Sequence, residues 1–168
     1  METNRSRNSG TYDNSRMYGD SRMHGNSTMY GDSEMHNNSV MHGNSQMRGN
    51  SRMYGNSEMC GNGIASHPSH IVSADMVGDD CSCLTVHPDT EIGIRVNRGC
   101  FTGSVTEFLN AVAEKPEDNP WRELYPQILY GLVCTVAKML ELYPIGEVPM
   151  DRVEDAVHAA KEARDEQE

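Results

Sequence analysis

The apolar positions of the chain follow two unlike patterns. From Met17 to Gly63 the regular apolar residue is a methionine at every sixth position: Met17, Met23, Met29, Met35, Met41, Met47, Met53 and Met59. The unit around each reads Met-x-Gly-(Asn or Asp)-Ser-x, as in Met17-Tyr18-Gly19-Asp20-Ser21-Arg22. A helix turns every 3.6 residues, so this period would carry the methionines around it and leave no apolar face. A flat strand alternates every two residues, and Gly-Asn or Gly-Asp in each unit would break it. What fits is a short strand and a turn, repeated around a coil of three sides. There Met points inward, Ser fills the inward corner, and the Gly step takes the positive φ of the bend. Asn37 replaces one glycine, and Asn is the next most tolerant residue in that conformation. The spacing predicts a β-solenoid, a short left-handed β-helix of hexapeptide repeats.

Three sides of six residues place i and i+18 on neighbouring rungs, about 4.8 Å apart. The positions that the repeat leaves free agree with that register. Arg16, Glu34 and Arg52 form a column of alternating sign, and Arg22, Val40 and Glu58 a column without like neighbours. Tyr18, His36 and Tyr54 fall in another column, and His24, His42 and Cys60 in a fourth. Thr11-Tyr12-Asp13-Asn14-Ser15-Arg16 reads as a degenerate first unit, so residues 11–64 make nine units, or three coils. Residues 1–10 are expected to be a disordered N-terminus. Ala65 to His70, containing Pro68, reads as a linker.

Beyond it the pattern changes to that of a small α+β domain over residues 71–168. Ile71-Val72, Cys83-Leu84-Thr85-Val86 and Ile92-Gly93-Ile94-Arg95-Val96 predict strands of a small antiparallel sheet, with His87-Pro88-Asp89 as a turn. Ser104 and Glu107 form a capping-box pair ahead of Val105, Phe108, Leu109 and Val112, which predicts a helix stopped by Pro116. A second helix is expected from Pro120 behind Asn119, kinked or restarted at Pro126, with Ile128, Leu129, Leu132, Val133, Val136, Met139 and Leu140 on one face. A third begins near Pro149, carries Val153, Ala156, Val157 and Ala160, and is expected to fray into Lys161 to Glu168.

Composition sharpens this division. Of the 27 Leu, Ile, Val and Phe residues, 26 lie in residues 64–168, so only that part has an ordinary core. Residues 1–66 carry six Lys/Arg against six Asp/Glu and residues 67–168 eight against nineteen, which puts all of the net charge of −11 in the second part. A neutral repeat beside an acidic domain argues against binding a nucleic-acid backbone. The N-terminal residues lack an apolar stretch of the signal-peptide kind, and the run from Ile128 to Leu142 is interrupted by Gly131, Thr135, Lys138 and Glu141, so no membrane partner is expected. Five cysteines, an odd number, suit reduced thiols in a cytoplasm.

Gly99-Cys100-Phe101-x-Gly103-Ser104, with Glu107 and Phe108, following such repeats, resembles a family of phage and prophage proteins. Those carry hexapeptides of the type Val-x-Gly-Asn-Ala ahead of a small Gly-Cys-Phe-x-Gly domain. This chain uses Met for Val and Ser for Ala throughout. The resemblance covers most of the chain and implies no established reaction, so it carries across no catalytic residues and no cofactor is expected.

Candidate chemistry is weighed against packing. His24, His42 and Cys60 are ligand types for zinc or copper, but a flat column offers no converging fourth ligand. Met sulfur suits Cu(I), yet a methionine at a strict repeat position is read as core. Cys81-Ser82-Cys83 with His87 and Cys100 is a second grouping without paired zinc spacing. Cys100 and Cys134 are read as buried thiols, and Trp121, Tyr125 and Tyr130 as packing residues. At the level of fold only, the coil resembles the hexapeptide acyltransferases, which place a catalytic His on or beside theirs. That resemblance would make His24, His36 and His42 the candidates for an enzyme, though each sits in an unmodified repeat with no inserted loop to build a pocket. The leading expectation is non-enzymatic: the coil is a spacer or self-association module, a trimer if one forms, and the acidic domain binds a protein partner. In a phage-encoded protein the site of action would be the host cytoplasm, and interference with a host protein or nucleotide is the variant of that expectation.

Overall fold

The computed structural model describes residues 9–78 and 82–167. It opens with ten two-residue strands whose starts are six residues apart: β1 (Gly10–Thr11), β2 (Arg16–Met17), β3 (Arg22–Met23), β4 (Thr28–Met29), β5 (Glu34–Met35), β6 (Val40–Met41), β7 (Gln46–Met47), β8 (Arg52–Met53), β9 (Glu58–Met59) and β10 (Ile64–Ala65). They form three parallel sheets in the orders β1-β4-β7-β10, β2-β5-β8 and β3-β6-β9. The register pairs Met17 with Met35, Met23 with Met41 and Arg16 with Glu34, always eighteen residues apart. The result is a β-solenoid of about three turns. Gly10 and Ala65 lie within its first and last strands, so it begins and ends one residue outside the span expected. The rest of the disordered stretch expected at the N-terminus, residues 1–8, lies outside the described residues.

Its interior is a column of thioethers. Seven methionines from Met23 to Met59 are at most 1% exposed, and Met17, at the first coil, is half-buried. Bends need positive φ, which glycine supplies and which Asn37 (φ 59°) and Asp13 (φ 57°) also adopt. Glycine has a second reason at Gly25, where a Cβ would lie 3.0 Å from the carbonyl oxygen of Gly43 on the next coil. Along the corners, amides donate to one another from coil to coil: Asn26 to Asn44 and Asn44 to Asn62, both at 3.2 Å.

The corner serines are buried, and here the repeat is not at an energetic optimum. Ser27 donates to the carbonyl of His24 at 2.9 Å, but the hydroxyls of Ser21, Ser33, Ser39, Ser45, Ser51 and Ser57 have no partner among the described residues. A buried hydroxyl without a hydrogen bond costs about 1–3 kcal/mol. Ser39→Ala should therefore raise the unfolding free energy by about 1 kcal/mol, read by urea denaturation; a loss of stability would show that the hydroxyl is satisfied in solution.

The stretch expected as a linker is structured. Ala65 is in β10, Pro68–His70 is a 3₁₀ turn begun by His67, and the His67 ring stacks on Tyr143 at 3.9 Å. A buried His70, whose Nδ1 accepts from the Ser66 N–H at 3.3 Å, further ties this passage down.

Four antiparallel strands follow in sequential order: β11 (Val72–Val77), β12 (Ser82–Asp89), β13 (Gly93–Arg98) and β14 (Phe101–Ser104). His87, Pro88 and Asp89 are not the turn but the buried end of β12. Proline is tolerated there because β11 reaches only as far as Val86 along that strand. The turn comes next, with the Asp89 carboxylate accepting from the N–H groups of Glu91 and Ile92 at 2.9 and 3.1 Å.

The helices match their signals closely. Helix α1 (Val105–Ala113) starts with both halves of the Ser104/Glu107 capping box formed. Helix α2 (Trp121–Leu142) does not restart at Pro126, which lies so near its N-terminus that few backbone bonds are disturbed. Helix α3 (Met150–Asp165) stays helical through Lys161 to Asp165 of the charged end expected to fray, Glu168 lying outside the described residues, and Arg164 lies over the Tyr130 ring at 4.2 Å. The helices cover one face of the sheet, where Leu84, Val86, Ile94 and Val96 meet Phe108, Leu129, Val133 and Val153 in a second core. Among the described residues no helix is long and apolar enough to cross a membrane.

Candidate functional site

Strand alternation gives the four-stranded sheet two faces of opposite character. Leu84, Val86, Ile94 and Val96 point to the helices, which leaves Thr85, His87, Asp89 and Asn97 on the other side, each at most 1% exposed. What buries them is the last coil of the solenoid. Its final rung would otherwise present unpaired backbone, and the polar face of the sheet satisfies it group by group. The N–H of Glu58 donates to Thr85 Oγ1 at 3.1 Å, and Asn97 Nδ2 donates to the Glu58 carbonyl at 2.9 Å. The N–H of Asn62 donates to Asp89 Oδ2 at 3.2 Å, and its carbonyl accepts from the N–H of Thr90 at 3.2 Å. Gly63 faces the His87 imidazole so closely that a Cβ would sit 2.6 Å from its Cε1.

Two titratable groups are locked in this layer. His87 Nδ1 donates to the Pro88 carbonyl at 2.9 Å, which leaves Nε2 to accept from Asn97 Nδ2 at 2.9 Å. That arrangement requires the neutral ring, and burial pulls its pKa down to about 4. Burial alone would raise the pKa of Asp89, but the Arg95 guanidinium (Nε–Oδ2 2.7 Å) and the N–H groups of Glu91 and Ile92 bring it below the ordinary value.

The expected columns form, with one consequence that reverses a candidate site. Tyr18, His36 and Tyr54 stack at 4.7 and 4.9 Å between ring centroids, and Arg52 pairs with Glu34 at 3.2 Å. In the His24, His42 and Cys60 column, however, the members diverge. His24 is exposed, His42 pairs with Glu58, and Cys60 turns into the junction, donating to Asn97 Oδ1 at 2.9 Å with its pKa raised by burial. The last coil is covered at Cys60, so that column position is not a surface position there. Among the described residues no group of three or more His, Cys, Asp or Glu is placed to hold a metal ion.

The second cysteine grouping is also dispersed. Cys81 lies outside the described residues. Cys83 is half-buried beside Thr85, and burial pushes its thiol up to about 11. His87 is committed to the junction, and Cys100 is exposed in the turn between β13 and β14, not buried as expected. Cys134 is only half-buried, on the flank of α2. The packing assignments fare better: Tyr125 is buried between Phe108 and Trp121, with centroids 5.4 and 5.5 Å away.

The Gly-Cys-Phe stretch has a physical account. Gly99 takes φ 55° in the turn, and Phe101 meets Phe108 edge-on at 5.2 Å. Gly103 leaves space for the Glu107 carboxylate, whose Oε2 would be 2.7 Å from a Cβ there, and that carboxylate closes the helix cap with Ser104. The motif builds the β14–α1 corner. As for the enzyme candidates, His36 has a tyrosine ring on each face and its Nε2 against Glu34 at 3.3 Å. His42 is paired as described, which leaves His24 the most accessible of the three.

Comparison with known proteins finds no matching family model, no matching curated protein and no matching solved structure. What the molecule can do is read from its own surfaces. One is the first coil of the solenoid, where β2 and β3 each pair on one side only among the described residues. Another is a groove of about 530 Å³ between α2 and α3, lined by Cys134, Ala137, Met150, Val153 and Val157 together with Lys138, Glu141, Glu154, His158 and Lys161.

Proposed function

We propose that the chain is a non-enzymatic structural and interaction protein of phage type, acting in the cytoplasm of the host. In this reading a left-handed hexapeptide coil is the spacer and self-association module, and the acidic α+β domain binds a protein partner. The observation that carries it is the asymmetry of the solenoid ends. The last coil is closed by the polar face of the sheet, while β2 and β3 at the first coil have, among the described residues, neighbours on one side only. An edge strand with unpaired backbone groups is a template for another strand. With one end closed, end-on pairing joins two copies and stops, so the assembly is a dimer and not a filament. A trimer packed through the flat faces is the other closed form. The groove between α2 and α3, where Ala137, Met150 and Val157 lie beside Lys138, Glu141 and Glu154, is a surface on which a partner could dock.

Size-exclusion chromatography with light scattering tests this directly. The expected result is a dimer at micromolar concentration, which Met17→Lys, a charge placed at the half-buried first rung, converts to a monomer with an unchanged far-UV CD spectrum. A wild-type chain that stays monomeric on concentration overturns the self-association reading, and a trimer that survives Met17→Lys moves it to the faces.

A further inference from the structure

Tyr12 follows β1 and Tyr30 follows β4, and these strands pair in register on adjacent coils. Their rings stack with centroids 5.0 Å apart and planes 12° from parallel. Gly10 makes this possible, since a Cβ there would lie 2.6 Å from Cε2 of Tyr12, so only glycine lets the ring lie over the strand. Both rings face solvent, at 51% and 38% exposure. The same column continues with Arg48, which ends the stack, and in the neighbouring column His36 separates Tyr18 from Tyr54. Among the described residues this is the one pair of tyrosines stacked ring on ring.

We propose that Tyr12 and Tyr30 form an oxidative modification site, at which a one-electron oxidant joins the two rings into an intramolecular dityrosine between the first and second coils. Each phenol gives one electron and one proton to the oxidant. The two phenoxyl radicals couple through the ring carbons ortho to oxygen, and the ortho hydrogens move to the oxygens to restore two phenols. The product has lost two hydrogen atoms. A peroxide, working through a heme peroxidase, takes up the two electrons and two protons and leaves as water. The bond pins the first coil to the second at the end that the sheet does not close. The buried thioethers from Met23 to Met59 are shielded from the same oxidant, whereas Met76 and Met150, 69% and 39% exposed, are open to it and record peroxide separately as gains of one oxygen.

The test treats the full-length protein with a heme peroxidase and limiting hydrogen peroxide. The expected product is a single covalent chain lighter by two hydrogens, with dityrosine fluorescence, in which the tryptic peptides carrying Tyr12 and Tyr30 are joined. Tyr12→Phe and Tyr30→Phe, which keep both rings, should each abolish this product, and Tyr18→Phe should leave it intact. Cross-links found only between chains, an intramolecular product that survives in Tyr12→Phe, or no coupling where free tyrosine in the same mixture couples, would each overturn the proposal.

Discussion

Met41→Ala is expected to lower the unfolding free energy by about 2–5 kcal/mol, the usual cost of emptying a fully buried methionine site. Met41 stands on the middle rung of its sheet, in register with Met23 on one side and Met59 on the other, and all three are 0% exposed. A cavity there has little chance to collapse, because the backbone on both sides is fixed by the coil-to-coil hydrogen bonds at His24 and His42 (both N–H to Met carbonyl, 2.9 and 3.0 Å). Met41→Leu conserves volume and should cost less than about 1.5 kcal/mol. Met17→Ala, at a half-buried position on the first coil, should cost less than Met41→Ala. The measurement is urea unfolding followed by far-UV CD. Equal, small losses at Met17 and Met41 would show that the thioether column does not hold the solenoid together.

That column is legible in the amino-acid sequence, and the reason is geometric. A six-residue period admits few backbone solutions, and a three-sided coil converts it into an eighteen-residue register that the free columns can check. Arg16, Glu34 and Arg52 do line up, and Tyr18, His36 and Tyr54 do stack. Helix α1 was equally plain because the Ser104 and Glu107 cap and the apolar spacing agree with each other.

The junction was not legible, because its logic is not local. Thr85, His87, Asp89 and Asn97 are polar, and a polar side of a strand ordinarily reads as facing water. Only the presence of a coil end, with backbone groups seeking partners, makes burying them favourable. His87-Pro88-Asp89 looks like a turn because proline and aspartate favour turns, and no sequence rule reports that β11 stops short of Pro88. Cys60 misleads for the same reason, since its column is exposed at His24 and covered at the last coil. A usable signal did exist. In Cys83-Leu84-Thr85-Val86-His87 and Ile94-Arg95-Val96-Asn97 the polar members are largely side chains suited to directed hydrogen bonds, not the lysines and glutamates common on solvated faces.

Lowering the pH from 7 toward 4 should weaken this junction, and with it the whole fold, by about 3 kcal/mol through His87 alone. The ring titrates near 6.5 when unfolded and at about 4 in the folded protein. Between those values the unfolded chain binds more protons than the folded one, so stability falls as pH falls, by about 1.4 kcal/mol for each unit of separation. The groups facing the ring explain why the folded state resists the proton. Nδ1 already donates to Pro88, Nε2 would have to donate toward the Asn97 amide that now donates to it, and the Asn97 nitrogen is also held by Glu58. Arg95 opposes a second positive charge nearby, while Asp89 and Glu58 favour it without overcoming burial. Asp89 adds a loss of the same sign at lower pH, since its folded pKa is depressed and its contribution goes as the carboxylate is protonated. His70, also lowered by burial, acts in the same direction, so the variant is what isolates the junction. In His87→Gln the slope of unfolding free energy between pH 6.5 and pH 4 should flatten by His87's share, leaving the part due to His70. Urea unfolding of both proteins across that range decides it. Parallel curves would mean that His87 accepts its proton without breaking the contact between sheet and solenoid.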